Sequence, residues 1–363
     1  MYTFLFKNRT YMLPQKPNKG KPLREKLYKK IDKKMENFVR VMYNEKNGKG
    51  ERLMKYVFGV DLGGTTVKMA CFEENGNCLE KWEIPTVTAD NGKRILPDIA
   101  RAVEDCVARL GIEKSQVLGL GIGVPGPVSD AGLVNKCINL GWGVFNIQEE
   151  LSRLTGLPVK AGNDATVAAL GECVHGGGKG AKNMVLVTLG TGVGGGVVID
   201  GKIVSGAHGA AGEIGHLVLN PHEEENCNCG KKGCAEQYCS ATGIVRLAKQ
   251  HLQKTDAPSP LRKENLTCKD IFDAKDDNLA KEVLAEFFDY LAMLIANICN
   301  TVNPETVVIG GGVSKAGDFL LDGIRAYFPK YVFHAAAGVS FAPAKLHNDA
   351  GIYGAFELIG KDA

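Results

Sequence analysis

The stretch that most constrains this chain is a cluster of three cysteines and one histidine between residues 216 and 234. Its core reads Cys227-Asn-Cys229-Gly-Lys-Lys-Gly-Cys234, and His216 precedes it. The two glycines between the second and third cysteines let the backbone fold back, so that the three sulfurs can face one point. Three thiolates and one imidazole form a complete tetrahedral ligand set for structural zinc, with no position left for a reactive water. We therefore predict a structural zinc knuckle in this segment.

Two carboxylates flank the predicted knuckle. Glu213 lies in a small-residue turn just before His216, and Glu236 lies two residues after Cys234. Because a closed zinc site has no reactive position, its expected task is to hold the loop that carries these two acids. The alternative is that the cysteines are ordinary buried thiols of a protein in a reducing compartment.

Composition supports a globular protein of two domains. The chain has 363 residues, of which 44% are hydrophobic and 23% charged. Its eleven cysteines are odd in number and scattered, which does not fit a disulfide framework and favours a reducing cytoplasm. No apolar run approaches the roughly 20 residues needed to cross a bilayer, and the N-terminus lacks the pattern of a signal peptide. We expect a cytoplasmic protein with no membrane partner.

The first 53 residues differ from the rest in charge. They hold 15 Lys and Arg against 5 Asp and Glu, so the remaining residues carry 29 against 36. A basic arm is typical of nucleic-acid or anionic-membrane binding. However, residues 48–51 read as the in-frame translation of a purine-rich ribosome-binding sequence, and a strand pattern starts just after Met54. We therefore predict that residues 1–53 are a basic extension from an upstream start and that Met54 begins the natural protein.

Within this extension we expect no regular structure over residues 1–20 and a basic amphipathic helix over 23–43. Apolar residues recur along that helix at the spacing of one face. They are Leu23, Leu27, Ile31, Met35, Phe38 and Met42. A single helix cannot supply the three-helix core of a helix-turn-helix domain, so nucleic-acid binding is disfavoured.

Two segments share the pattern of a strand, a Gly/Thr turn and a second strand. The first is KYVFGVDLGGTTVKMACFEE and the second begins KNMVLVTLGTGVGGG. Glycines at such turns let backbone amides approach phosphate oxygens, and an acid at the end of the first strand can hold Mg²⁺ or its water. The residues expected in these roles are Asp61, Gly63, Gly64, Thr65, Thr191 and Gly192. Neither turn is a Walker or Rossmann motif, and their similarity suggests a duplicated fold.

Other segments point to a site at strand ends. Asp164 follows the strand VKAGN and precedes a helix, which is where open α/β sheets place their chemistry, although a helix N-cap is the alternative role. The glycine run at 310–312 forms a turn suited to a nucleotide base or ribose. Residues 94–110 and 276–302 read as helices, and the second is apolar nearly all round, as expected in a core or a dimer interface.

These motifs together resemble the signature of the ROK family of sugar kinases and repressors, in its ATP-dependent glucokinase branch. In chain order they are DLGGTTVK, GVPGPV, NLGW, GNDAT, LGTGVGGG, HGAAGEIGH, CNCGKKGCAEQYCSATG and IGGGVS. The resemblance implies an α/β protein with two ribonuclease-H-like domains of the actin/hexokinase/Hsp70 type and an active site in the cleft between them. The small domain would be 54–164 plus about 345–363, and the large domain 165–344 with the zinc knuckle at 216–234.

The resemblance also assigns roles to single residues. Asp164 matches the catalytic base, and His216 would serve both zinc and sugar. The implied sugar contacts are Asn163, Asp164, Glu213, His216, Glu236, Asn139 and Gly126. The implied nucleotide and magnesium contacts are Asp61, Gly63, Gly64, Thr65, Lys68, Thr191, Gly192, Gly311 and Gly312. The implied zinc ligands are His216, Cys227, Cys229 and Cys234. The chain departs from the motif at Thr166, where many relatives have Asn.

The implied activity is transfer of the γ-phosphoryl group of ATP to the 6-hydroxyl of glucose, with Mg²⁺ and structural Zn²⁺, in a homodimer or higher homo-oligomer. Three alternatives remain. The first is a kinase for another hexose or N-acetylhexosamine, such as N-acetylmannosamine, N-acetylglucosamine or fructose. The second is a sugar-responsive transcriptional regulator of the same family, for which the basic arm looks too short. The third is a zinc-ribbon nucleic-acid binder, which the acidic body disfavours.

Overall fold

A computed structural model describes residues 54–360 and, before them, the backbone of two short strands. Those strands, Thr3–Phe6 (β1) and Arg9–Met12 (β2), pair antiparallel. The sequence predicts no regular structure over residues 1–20, whereas the structure places this pair of strands there. The helix expected over 23–43 lies outside the described residues. The chain divides into two compact units between Leu53 and Met54.

The first half of the larger unit contains a five-stranded sheet and a two-stranded ribbon. The strands are Tyr56–Leu62 (β3), Thr66–Glu73 (β4), Cys78–Pro85 (β5), Val117–Val124 (β6), Leu133–Val134 (β7), Phe145–Asn146 (β8) and Val159–Asn163 (β9). The sheet order is β5-β4-β3-β6-β9, and β7 pairs with β8. Strands β3, β4 and β5 are antiparallel neighbours, whereas β3, β6 and β9 run parallel.

The second five-stranded sheet repeats this arrangement. Its strands are Met184–Leu189 (β10), Val193–Ile199 (β11), Lys202–Ile203 (β12), Thr306–Gly310 (β13) and Ser340–Pro343 (β14), in the order β12-β11-β10-β13-β14. Again an antiparallel hairpin is extended by parallel strands on one side, β10-β13-β14. The duplication suggested by the two Gly/Thr turns is thus present in the topology, with one turn at the tip of each hairpin.

Helices cover these sheets. They are Ile95–Leu110 (α1), Ile147–Thr155 (α2), Asp164–His175 (α3), Glu236–Cys239 (α4), Ala241–Gln253 (α5), Cys268–Asp273 (α6), Asn278–Val302 (α7), Asp318–Tyr327 (α8) and Ala350–Gly360 (α9). Helix α7 is the apolar helix expected over 276–302, and it lies in the core of the second sheet, where Phe287, Leu291 and Ile295 are fully buried. Among the described residues no helix is both long and apolar enough to cross a membrane.

Helices α3 and α9 touch backbone to backbone. A Cβ atom at Gly354 would lie 1.8 Å from the carbonyl oxygen of Val167, and one at Gly171 would lie 2.3 Å from that of Ala350. Only glycine allows such a close approach without displacing the neighbouring chain. This contact fixes the start of α3 relative to the start of α9, and both starts lie next to acidic residues of the candidate site.

A buried carboxylate secures the other end of α3. Glu172 is 1% exposed, and it accepts three backbone hydrogen bonds. Its Oε2 accepts from the N–H groups of Gly177 at 2.8 Å and Lys345 at 3.0 Å, and its Oε1 accepts from that of Leu346 at 2.7 Å. Both oxygens are therefore needed as acceptors, and the carboxylate ties α3 to the segment that leads into α9.

We expect Glu172→Gln to lower the free energy of unfolding by about 2–3 kcal/mol, the cost of losing one charge-assisted hydrogen bond in a buried site. In either orientation, the NH₂ group of the glutamine would face at least one backbone N–H. Urea denaturation measures the change. Glu305→Gln is the matched control, because exposed Glu305 accepts from Lys182 and Asn183 through Oε2 alone, and a glutamine oxygen can replace it. Equal losses in the two variants would contradict this role.

Candidate active site

The parallel strands of the first sheet bring three predicted site residues to one edge. Asp61 lies near the end of β3, where it pairs with Gly123 of β6, and Asn163 ends β9 opposite Val124. Gly126 follows β6 in the turn between the two prolines. Since the carboxyl ends of parallel strands share one edge of a sheet, these residues are neighbours although they are far apart in sequence.

Asn163 organises the start of α3. It is the N-cap residue of this helix, and its Oδ1 accepts from the Thr166 N–H at 3.1 Å and lies 3.2 Å from the Thr166 hydroxyl. Its Nδ2 donates to the carbonyl oxygen of Gly126 at 3.2 Å and to Oδ1 of Asp164 at 3.0 Å. The N-cap role considered for Asp164 therefore belongs to Asn163. Thr166, where the chain departs from the motif, holds the capping oxygen.

Asp164 is the first residue of α3, with one carboxylate oxygen fixed. Its Oδ1 accepts from the Ala165 N–H at 2.8 Å and from Asn163. Within the described part of the chain, no hydrogen bond goes to Oδ2. The side chain is thus oriented through one oxygen, and the other is available to a ligand.

Burial raises the pKa of Asp164 to about 6, and the nearby charges of Asp61 and Glu213 act in the same direction. The hydrogen bonds from Ala165 and Asn163 oppose this shift without cancelling it. A group that titrates near neutral pH in a cluster of acids is a candidate for proton transfer. The electrostatic contributions also show that the structure brings Asp61, Asp164 and Glu213 together, as the sequence motifs imply.

Asp61 lies against the start of α9. A Cβ atom at Gly351 would lie 2.5 Å from the Asp61 carboxyl carbon, so a larger residue there would displace this acid. Burial raises the pKa of Asp61, and the Lys68 ammonium, which faces it across the β3-β4 pair, opposes the shift. The Lys68 Nζ donates to the carbonyl oxygen of Asn348 at 3.1 Å. In this structure Lys68 therefore links β4 to the segment before α9.

The two Gly/Thr turns form the tips of the hairpins. At the first tip, Gly64 and Thr65 are exposed, and the Gly63 carbonyl accepts from the Thr86 hydroxyl at 2.7 Å. A Cβ atom at Gly311, after β13, would lie 2.4 Å from the carbonyl oxygen of Leu189, which ends β10. Gly311, and Gly312 after it, therefore lie beside the second tip, Gly190-Thr191-Gly192, as expected if both serve one ligand.

Glu236 also contacts the second tip. Its Oε2 accepts from the Val193 N–H at 3.2 Å, and a Cβ atom at Gly192 would lie 2.3 Å from that oxygen. Its Oε1 accepts a hydrogen bond from the Cys227 thiol, whose sulfur is 3.8 Å away. The acid assigned to the sugar by resemblance thus lies between the cysteine knuckle and a glycine turn.

The four predicted metal ligands converge. The ligand atoms of His216, Cys227, Cys229 and Cys234 all lie within 4.8 Å of one another. The Cys229 and Cys234 sulfurs are 3.6 Å apart, too far for a disulfide. A tetrahedron with Zn–S bonds of about 2.3 Å has edges of about 3.8 Å, so this donor set has the size and the chemistry of a zinc site.

Sequence reasoning missed a charged network that supports the knuckle. Arg246 of α5 donates to Glu223 at 2.7 Å and to Glu225 at 2.6 Å, and the Tyr238 hydroxyl donates to Glu223 at 2.6 Å. Partial burial would raise the pKa of Glu223, but hydrogen bonds from Tyr238, the Glu225 amide and Arg246 lower it to about 2. The only signal was the acidic run at 223–225. The network fixes the loop between His216 and Cys227.

The remaining predicted residues lie around Asp164. A Cβ atom at Gly209 would meet the Val128 backbone at 2.7 Å, so the loop that carries Glu213 packs on the turn after β6. Asn139 is exposed in the short helical turn Ile138–Leu140. Burial raises the pKa of Cys137, and the Asp164 charge adds to this shift, so the segment that carries Asn139 is also close to Asp164.

Comparisons with known proteins give the family. Residues 57–362 match the ROK family. A glucokinase from Halalkalibacterium halodurans is 45% identical over 84% of this chain and 95% of its own length. A glucokinase from Thermotoga maritima is 35% identical over 84% of this chain and 96% of its own length. An N-acetylmannosamine kinase from Salmonella arizonae is 32% identical over 84% and 98%, respectively.

Solved structures agree with this assignment. A ROK family glucokinase from Streptomyces griseus, solved with glucose and AMPPNP, is 30% identical with a TM-score of 0.64, over 84% of this chain and 98% of that one. A ROK family transcriptional regulator, a homologue of the Escherichia coli MLC protein, is 27% identical with a TM-score of 0.73, over 84% and 78%. The predicted fold class is confirmed. The chain belongs to the ROK family.

Proposed function

We propose that this protein is a glucokinase that transfers the γ-phosphoryl group of ATP to the 6-hydroxyl of glucose. Two relatives that carry this name align over nearly their whole length, 95% and 96%. The observation that carries the proposal is Asp164, a partly buried acid at a strand end with a pKa of about 6 and one oxygen without a hydrogen bond in the described residues. A general base that removes the proton of a sugar hydroxyl needs a pKa near the working pH and a free acceptor atom.

Asp164 accepts the proton of the 6-hydroxyl through Oδ2 while Oδ1 remains bound to Asn163 and Ala165. Phosphoryl transfer passes through a loose transition state, so the base orients the hydroxyl in line as much as it removes the proton. With a pKa of about 6, roughly nine-tenths of the carboxyl groups are ionised at pH 7. The acid is therefore ready to act as a base near neutral pH.

The sugar is held by the residues around Asp164. Glu213, His216 and Glu236 supply acceptors and an imidazole for the ring hydroxyls, and Asn139 and Gly126 complete the set. Asn163 has a different position from the others, because its amide hydrogens already bind Gly126 and Asp164. We assign it mainly to orienting Asp164, and a sugar hydroxyl would have to share its atoms.

The nucleotide lies along the two hairpin tips. We assign its phosphates to the backbone and hydroxyl groups of Gly63, Gly64, Thr65, Thr191 and Gly192, and its adenosine part to Gly311 and Gly312. Asp61 would hold Mg²⁺, which neutralises charge on the phosphoryl oxygens when bound. Lys68 supports this acid from the neighbouring strand.

The knuckle would hold Zn²⁺ through His216, Cys227, Cys229 and Cys234, whose donor atoms fit a tetrahedral site. Bound there, zinc would fix the orientation of the His216 ring and the loop that carries Glu213. We further propose that the protein acts in the cytoplasm, as its free cysteines suggest, and that it forms a homo-oligomer. Light scattering of the purified protein measures the oligomeric state.

A coupled assay with glucose-6-phosphate dehydrogenase tests the reaction, because this enzyme consumes glucose 6-phosphate. The proposal expects NADPH formation that needs glucose, ATP and Mg²⁺ together. Replacing glucose by 6-deoxyglucose, which lacks the accepting hydroxyl, is expected to abolish ATP turnover. Turnover with 6-deoxyglucose would show that phosphate goes to another hydroxyl or to water.

The pKa of Asp164 predicts the acid limb of the pH profile. Because the base must be ionised, kcat/KM is expected to fall tenfold per pH unit below about pH 6 and to level off above it. The profile of kcat/KM reports the free enzyme, so the midpoint should match the pKa of the group in the absence of substrate. A midpoint near pH 4 would mean that Asp164 is not shifted or is not the base.

A further inference from the structure

The first turn of α5 donates hydrogen bonds to two carbonyl oxygens of the second hairpin tip. The Ala241 N–H donates to the carbonyl of Gly190 at 2.8 Å, and the Thr242 hydroxyl donates to the carbonyl of Thr191 at 2.8 Å. A carbonyl only accepts, so the single hydroxyl proton of Thr242 makes the second bond. Two consecutive peptide units of the tip are therefore oriented from outside the hairpin.

This orientation determines where the amides point. A trans peptide unit directs its C=O and its N–H in opposite directions. Since the carbonyls of Gly190 and Thr191 face α5, the N–H groups of Thr191 and Gly192 face away from it. No hydrogen bond within the described residues uses either of these amides. They form a pair of adjacent donors on one side of the tip, an arrangement suited to a phosphate group.

Ser240 lies beside the hydroxyl of Thr242. Ser240 is fully buried, and as the N-cap of α5 it accepts from the Gly243 N–H at 2.9 Å. Its Oγ lies 2.9 Å from the Thr242 Oγ1 and 2.7 Å from the carbonyl oxygen of Glu236. The carbonyl of Glu236 takes the Ser240 proton and that of Thr191 takes the Thr242 proton, so no proton joins the two hydroxyls, and the bond to Thr191 orients the exposed Thr242 side chain.

We propose that Thr242 is a positioning residue for the nucleotide, which turns the amides of Thr191 and Gly192 toward the phosphates by holding the Thr191 carbonyl. The inference rests on the proposed function, which assigns this tip to the phosphates of ATP. Thr242 itself makes no contact with the nucleotide. Because the hydroxyl acts on the tip alone, its loss changes nucleotide affinity and leaves sugar affinity unchanged.

The test compares three variants by calorimetry with Mg-AMPPNP and, separately, with glucose. Thr242→Val removes the hydroxyl at nearly constant volume, and Thr242→Ser retains it. Thr301→Val is the matched control, because the exposed Thr301 hydroxyl donates to the carbonyl of Asn297 at the same 2.8 Å but far along the chain from the tip. Melting temperature and zinc content are measured for each variant.

Loss of a neutral hydrogen bond is expected to raise the Kd for Mg-AMPPNP about 3- to 10-fold in Thr242→Val. The Kd should stay within about twofold in Thr242→Ser and Thr301→Val, and glucose affinity should stay within about twofold in all three. Should Thr242→Val melt at a lower temperature, Thr242→Ala provides the same comparison without a branched side chain.

Unchanged nucleotide affinity in Thr242→Val would overturn the inference, as would equal losses for nucleotide and glucose or failure of Thr242→Ser to restore affinity. The proposed function is judged separately, by sugar phosphorylation in the unaltered protein. If the variants show the expected order of Kd values for Mg-AMPPNP but the unaltered protein phosphorylates no sugar, the inference is retained and the proposed function is contradicted.

Discussion

Asp164→Asn is expected to lower kcat by about 10²- to 10⁴-fold, the usual contribution of a general base. The variant keeps an oxygen at the position of Oδ1, so the bonds from Asn163 and Ala165 are retained. It loses the charge that accepts the proton of the sugar hydroxyl. Full retention of activity would remove Asp164 from this role.

The same substitution is expected to stabilise the fold at neutral pH. The folded pKa of Asp164 is raised from 3.8 to about 6, so ionisation of the native protein costs about 2–3 kcal/mol relative to the unfolded chain. Below about pH 4 both states hold the proton and there is no cost; between pH 4 and 6 the cost grows, and above pH 6 it is complete. The melting temperature of Asp164→Asn should therefore exceed that of the parent at pH 7.5 and equal it near pH 4.

Asp318→Asn is the control for both effects, because Asp318 is also the first residue of a helix, α8, but is exposed. It is expected to leave kcat unchanged and to lower the melting temperature slightly by removing a charge from the helix N-terminus. A loss of stability in Asp164→Asn at pH 7.5 would contradict a raised pKa for this partly buried base.

Cys229→Ala is expected to release the metal and raise the sugar KM by at least about tenfold, the cost of disturbing the support of a metal ligand such as His216. Cys229 is exposed, so the substitution removes little packing and its effect reports the metal site. Zinc content is measured by mass spectrometry and sugar affinity by calorimetry. The expected contents are one zinc per parent chain and little in the variant.

Cys268→Ala is the matched control, since Cys268 is a partly buried free thiol at the start of α6, outside the knuckle. It should retain zinc and sugar affinity. An unchanged sugar KM in metal-free protein would show that sugar binding does not depend on the knuckle. Absence of zinc from the parent protein would contradict the zinc site and leave the three cysteines and the histidine as side chains that bind no metal.

Short-range motifs in the sequence predicted the elements of this site well. The strand–turn–strand pattern located both hairpins, the thiol spacing located a ligand cluster, and the apolar helix over 276–302 was found as α7 within the core. Each of these signals lies within one stretch of chain, where residue spacing and geometry are directly related.

Contacts between distant segments could not be predicted in the same way. The N-cap role belongs to Asn163 rather than Asp164, because the choice depends on a one-residue difference in where the helix begins. Thr242 holds Thr191 from 51 residues away, and Glu172 binds amides more than 170 residues away, so no local pattern marks them. The Arg246 network likewise depends on how α5 lies against the loop before the knuckle.

The measurement that tests the central claim most directly is an ADP-release assay with Mg-ATP and five sugars in parallel. Glucose, mannose, fructose, N-acetylglucosamine and N-acetylmannosamine are offered to folded, zinc-loaded protein. We predict the highest kcat/KM for glucose. Preference for an N-acetyl sugar would contradict the proposed substrate and retain the mechanism, and no ADP release with any sugar would contradict the assignment of Asp164 as the base of a sugar kinase.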